Sequence, residues 1–204
     1  MTPRPYRLGR RQAAVDRTRA RILTAARTLL VARGNADFSI EAVARRARVT
    51  RATVYQRFGS RSQLLEALFD DLARRGGMWD LAVAFRQPDP EEALVRFITT
   101  FGRFWTAHRP IHRRLLALGA LDAGLDQTLS ARQEWRRQGL RVIVGRVRER
   151  YDRPTAGVLD ETIDLLFALT SFQTFDLLAG PKRTPAQVAP IVVRVARTIL
   201  GLPV

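Results

Sequence analysis

The feature that most constrains this chain is the stretch from Ser39 to Arg61, SIEAVARRARVTRATVYQRFGSR. It reads as two short helices around a tight three-residue turn. Ser39 offers a hydroxyl that can accept from an orphan backbone N–H, Glu41 sits where the helix dipole favours a carboxylate, and Val43, Ala44 and Ala47 share an inward face. The chain turns through Arg48 and Val49. Thr50 is placed to cap a second helix, Arg51 to Phe58, which Gly59 and Ser60 end. Val54 and Phe58 are four apart and share the face that the first helix covers. The opposite face presents Arg51, Ala52, Tyr55 and Gln56, whose donors, amide and small side chain suit a DNA major groove. The pattern is a helix-turn-helix with its second member as recognition helix, and its candidate DNA-contacting residues are Ser39, Thr50, Arg51, Ala52, Tyr55, Gln56, Arg57 and Arg61.

Thr50-x-x-Thr53-Val54-Tyr55-x-x-Phe58 followed by Ser60-Arg61 resembles the signature of the tetracycline-repressor (TetR) family. The resemblance covers positions 17 to 72. Within it the order of parts agrees: a longer helix ending near Gly34, the Phe38-Ser39 entry, the two short helices, and Arg61-Ser62-Gln63-Leu64-Leu65 opening a fourth. Arg57 stands where that family usually has His or Tyr, and Arg61 where it has Lys; both can hold a phosphate. The resemblance implies an all-α chain, with an amino-terminal helix-turn-helix DNA-binding domain and a carboxy-terminal helical ligand-binding and dimerisation domain. It further implies that the last two helices of each subunit form a four-helix bundle and that the region before them holds a small-molecule pocket.

Charge agrees with the motif. Of 35 basic and 19 acidic residues, positions 1–75 hold 17 arginines against six Asp and Glu, and the remainder 18 basic against 13 acidic. So uneven a distribution attracts phosphate at long range and gives salt-dependent affinity without sequence preference. Alone it would also fit an anionic membrane surface. The chain has no cysteine, which excludes disulfides, thiolate metal sites and cysteine catalysis. No apolar run approaches the ~20 residues of a membrane span and the amino terminus lacks a signal-peptide core, so a cytoplasmic protein is expected.

Taken in order, residues 1–15 read as a basic flexible arm with Arg4, Arg7, Arg10 and Arg11 among prolines and a glycine, 16–75 as the DNA-binding domain, and 76–204 as the helical ligand-binding and dimerisation domain. Asp16 to Arg33 carries Ile22, Ala26, Leu29 and Leu30 on one stripe, and Ser60 to Arg75 repeats Leu64, Leu68 and Leu72. The wide apolar surface of this fourth helix makes it the mechanical link between the two domains. Further helices are expected from just after Pro90, with Glu91 and Glu92 in the first turn, to His108, from Pro110 to Leu121, from Leu125 to Arg150, from Thr155 to Ala179 and from Pro185 to Leu200.

The last two are apolar nearly all round, and a second copy of the chain is the simplest cover for them. Phe167, Phe172, Phe175, Val192, Val195 and Ile199 are the candidate dimer-interface residues. A two-fold dimer would place two recognition helices one DNA turn apart, ~34 Å, and so read a palindromic operator. Phe101, Phe104, Trp105, Trp135 and Phe172 are candidates for the lining of a pocket for an apolar or aromatic effector, though aromatic residues at helical spacing also serve as plain core. His108 and His112 lie four apart, but Pro110 between them and the lack of nearby acidic ligands argue against a metal site. No cofactor is expected. No phosphate loop, nucleophile elbow or carboxylate pair points to an enzyme; Asp160, Glu161 and Asp164 read as a helix start.

The sequence therefore points to a dimeric, sequence-specific transcriptional regulator that binds double-stranded DNA, a repressor released by a small molecule. Its rivals are a DNA-binding regulator without a small-molecule ligand, a nonspecific nucleic-acid-coating protein and a membrane-surface protein using the basic arm.

Overall fold

The computed structural model describes residues 5–32, 38–151 and 159–203, with side chains from residue 12 onward. Every regular element among them is an α-helix: α1 (Pro5–Val31), α2 (Ile40–Arg46), α3 (Arg51–Phe58), α4 (Arg61–Arg75), α5 (Asp80–Phe85), α6 (Pro90–Ala107), α7 (Arg109–Gly119), α8 (Ala123–Tyr151), α9 (Leu159–Leu169), α10 (Phe172–Ala179) and α11 (Pro185–Ile199).

Helix α1 begins well before the expected Asp16. Residues 5–15, read from sequence as part of a flexible arm, continue the helix; positions 1–4 of that arm, and Arg33 and Gly34 at the other end, lie outside the described residues. Proline at the first helical position gives up an N–H that has no partner there anyway, and the Arg, Gln and Ala residues that follow are good helix formers. Ile22, Leu23, Ala26 and Leu30 of α1 meet Val43 and Ala44 of α2, Val54 and Phe58 of α3, and the leucines of α4 in one core.

Helix α6 organises the second half. It packs on α5, α8 and α11, and Gly102 permits the last of these contacts: a Cβ there would lie 3.1 Å from Phe175 Cε1 and 3.3 Å from the Ala189 Cβ. The helix expected over 155–179 is two helices, its first four positions lying outside the described residues. Helices α9 and α10 meet at a 48° bend. Ser171 makes the break by accepting the Thr174 N–H at 3.2 Å to cap α10, while the Thr170 hydroxyl donates to the Leu166 carbonyl at 2.8 Å.

That bend redistributes the residues expected at a dimer interface. Phe172, Phe175 and Val192 are buried within the single chain, Phe175 against the Gly102 gap, Phe172 beside Trp105 and His112, so none of the three is available to a second copy. Phe167 is half-buried, its ring under the guanidinium groups of Arg136 at 4.0 Å and Arg137 at 4.2 Å. Val195 remains 42% exposed and Ile199 partly exposed, in line with Leu165 at 57% and Leu177 at 83%. Among the described residues no single helix is long and apolar enough to cross a membrane, and the bent α9–α10 pair, which passes by length and composition, contributes Ile163, Leu166, Phe172 and Phe175 to the core.

The α6–α11 contact generates a stability prediction. Gly102→Val should destabilise the fold by about 1–3 kcal/mol through overpacking, lowering Tm by several degrees in a scanning-calorimetry comparison with the parent. An unchanged Tm would mean that α11 can retreat at no cost.

Candidate nucleic-acid interface and ligand cavity

The helix-turn-helix is fixed by three hydroxyl caps. Ser39 Oγ accepts the Ala42 N–H at 3.2 Å, Thr50 Oγ1 the Thr53 N–H at 3.1 Å, and Ser60 Oγ the Gln63 N–H at 3.1 Å, so each hydroxyl starts a helix. Between α2 and α3 the Val49 N–H bonds the Ala44 carbonyl at 3.0 Å and the Arg48 N–H the Arg45 carbonyl at 3.2 Å, the paired bonds of a Schellman turn. Its left-handed residue is Arg48, at φ 52°.

Val54 and Phe58 point inward and are buried; Arg51, Ala52, Tyr55 and Gln56 stand exposed on the other side. Arg51 pairs with Glu41 at 2.6 Å, both half in solvent, an interaction that a phosphate could replace cheaply. Arg57 is half-buried with an Nε that has no partner among the described residues. Arg61 departs from its sequence assignment: it is held by Asp122 at 2.5 Å, and that hydrogen bond draws the carboxyl below its ordinary pKa. Its partner lies 61 residues away, beyond reach of a local pattern, so Arg61 links α4 to the start of α8 rather than standing free for phosphate. Sequence reading passed over Arg45, Arg46 and Arg48, which are exposed beside α3 and make no ion pair among the described residues; their clustering was the available signal.

A cavity of about 380 Å³ lies between α4, α5, α6, α7, α8 and α10. Phe101, Phe104, Trp105, Trp135 and Phe172 all line it, together with Phe69 and Ala73 of α4 and with Arg132, Gln133 and Arg136 of α8. Trp135, 70% exposed, stands at its mouth beside a cleft that also includes Trp79. The α8 polar residues escaped the sequence reading because one helix turn of that amphipathic element looked like solvent-facing charge.

Two histidines sit at the α6–α7 junction. The His108 Nε2–H donates to the Leu72 carbonyl of α4 at 2.9 Å, which occupies that nitrogen and joins the α6–α7 junction to α4. Burial lowers its pKa while this bond opposes the shift. His112 is buried deeper, edge-on to Trp105 at 4.6 Å, and its pKa falls to about 3, first through desolvation and then through His108. Its Nε2 has no partner among the described residues, nor does Trp105 Nε1. The two rings are 6.4 Å apart, and no group of three metal-ligating side chains occurs among the described residues.

Further ties join the halves. Arg132 of α8 pairs with Glu66 and, at 2.8 Å, with Asp70 of α4. Within the first half, Asp71, only 3% exposed, ties α4 to α1, being surrounded by Arg27 of α1 at 3.5 Å, Arg75 at 2.8 Å and Arg74.

Residues 22–68 match the family model described as bacterial regulatory proteins, tetR family. No curated protein matches the chain. Among solved structures the chain is similar to the TetR family transcriptional regulator PfmR from Thermus thermophilus, at 21% identity and TM-score 0.61 over 89% of this chain and 97% of that one. It is also similar to the fatty acid degradation regulator FadR from Bacillus halodurans, at 15% identity and TM-score 0.64 over 89% and 97%. A third is the transcriptional regulator FadR from Bacillus subtilis in complex with stearoyl-CoA, at 13% identity and TM-score 0.64 over 87% and 96%. At these identities the likeness is one of fold.

The buried His112 gives a pH prediction. Its folded pKa of about 3 lies below the ordinary 6.5, so the unfolded chain binds the extra proton and stability is lost as pH falls through that window. At pH 5 this amounts to about 2 kcal/mol. His112→Phe should therefore flatten the denaturant midpoint between pH 7 and 5 relative to the parent; parallel curves would show that the ring is not held neutral.

Proposed function

We propose that the chain, whose residues 22–68 match the model of the bacterial tetR-family regulatory proteins, is a dimeric, sequence-specific transcriptional regulator rather than an enzyme. It acts on DNA in the cytoplasm as a repressor released by a small apolar or aromatic molecule. The observation that carries the reading is α3, anchored from behind by buried Val54 and Phe58 while Arg51, Ala52, Tyr55 and Gln56 face outward. Arg51 and Gln56 read base edges; Tyr55, Thr50 and the exposed arginines of the α2–α3 turn hold phosphate.

The dimer face in this proposal runs through Leu165, Leu177 and Val195, side chains that a lone chain leaves in water. The effector occupies the cavity between α4 and α8. Its presence would act through α4, because Phe69 and Ala73 face the cavity while Leu72, on the same helix, receives the His108 hydrogen bond. A ligand shifts the spacing of the recognition helices only by the difference in its affinity for the DNA-binding and released states. That two similar structures are named as regulators of fatty acid degradation or contain stearoyl-CoA supports an effector with a large apolar body.

Selection of random duplex DNA on the purified protein at physiological salt tests the proposal; it should enrich a palindrome with two equivalent half-sites. Retention without enrichment would overturn it in favour of a nucleic-acid-coating protein. Arg51→Ala and Gln56→Ala should each relax one position of the site at a cost of about 1–3 kcal/mol, whereas Tyr55→Phe should weaken all sequences alike. Leu177→Glu combined with Val195→Glu should give a folded monomer by analytical ultracentrifugation; an intact dimer would move the interface elsewhere.

A further inference from the structure

The cavity wall carries one charge that the chain does not neutralise. Arg136 is 4% exposed and lines the cavity, yet its guanidinium makes no ion pair with an acidic side chain among the described residues. Its bonds all run to neutral oxygens. Nη1 donates to the Phe167 carbonyl and to Thr170 Oγ1, both at 2.6 Å, while Nε and Nη2 donate to Gln133 Oε1 at 3.1 and 2.8 Å. Four of its five N–H groups are thereby used, and the second N–H of Nη2 is left. The neighbouring cations differ. Arg132 has Glu66 and Asp70, and Arg137 has Asp164 and Glu134.

Gln133 also lines the cavity, and its own geometry follows from this arrangement. Because its Oε1 is committed to the guanidinium, its amide nitrogen is turned out as a donor, and it donates to no acceptor among the described residues. Across the cavity His112 is buried with Nε2 unpartnered. Burial pulls the Arg136 pKa down to about 9, with Arg137 acting in the same direction, so the group remains a cation at neutral pH. A buried cation without a counter-charge carries a free-energy penalty that an anion brought to it would relieve. Apart from Gln133, His112 and Arg132, which is paired with Glu66 and Asp70, the rest of the wall is aromatic and aliphatic, with no second uncompensated cation among the described residues.

We propose that the effector is an amphipathic monocarboxylate, its apolar body against Phe101, Phe104, Trp105 and Phe172 and its carboxylate on Arg136 and the Gln133 amide. A carboxylate is acceptor-only, and both groups offered to it are donors. The assignment rests on the cavity being the effector site and adds the chemistry of the head group.

Matched probes test it by isothermal titration calorimetry on the full chain at neutral pH: 2-naphthoate against 2-naphthylmethanol, and octanoate against 1-octanol. In at least one pair the acid should bind the parent about tenfold more tightly than the alcohol. Arg136→Met should lose that preference while keeping alcohol affinity within about threefold, and Arg136→Lys should retain part of it. Alcohols that bind as tightly as the acids, or a preference that survives Arg136→Met, would overturn the carboxylate assignment and leave the effector cavity standing. Failure of all four probes to bind the parent would overturn both. Should Arg136→Met lose its helical circular dichroism, the acid-to-alcohol comparison on the parent decides alone.

Discussion

Leu64, Leu65, Leu68 and Leu72 are sealed from solvent on α4, although that helix has partners on opposite sides: α1 and α3 on one, α8 on the other. Close packing makes this a mechanical constraint. A helix buried on two sides cannot rotate or slide without opening a void in one of them, and voids in a close-packed interior are costly. The same helix presents Phe69 and Ala73 to the cavity while it packs against α3. Around it the polar ties run the same way: Leu72 to His108, Asp71 to Arg27, and Glu66 and Asp70 to Arg132.

What the sequence made legible was local. A hydroxyl at the helix start, Thr50, a pair of apolar residues four apart and a glycine at the end delimit α3 as Arg51–Phe58, because capping and periodicity act over four residues and can be read within that span. The five aromatics named for a pocket all line the cavity; four of them, Phe101, Phe104, Trp105 and Phe172, lie on buried apolar faces, and Trp135 stands exposed at the mouth. Long-range choices were not legible. In α11 the run Ile191–Val192–Val193 and Val195 are all apolar, so periodicity cannot tell Val192, which is buried, from Val195, which is not. Nor does the pattern show that Ser171 spends its hydroxyl on a cap and divides one apolar run into two helices.

Arginine accounts for the other misreadings. The guanidinium is the cation best suited to buried and bidentate contacts, and its long stem lets it reach apolar surroundings while finding oxygens. Counting arginines as surface charge therefore overstates the free positive face. Arg61 is engaged by Asp122, Arg27 reaches Asp71, and Arg136 is inside. Arg45, Arg46 and Arg48 are exposed beside α3 without an ion pair among the described residues, and other such cations, Arg21, Arg148 and Arg194 among them, lie elsewhere on the surface.

The turn between α2 and α3 places a side-chain-bearing residue, Arg48, where a Schellman motif ordinarily has glycine. The Cβ in that left-handed conformation opposes the turn by roughly 1–2 kcal/mol. Local preference thus works against the angle between the two helices, and that angle is maintained by what lies behind them: Ile22 and Ala26 of α1 and the leucines of α4. The helix pair is not an autonomous module. A peptide spanning only the two helices would splay, and the geometry of the turn belongs to the four-helix unit as a whole.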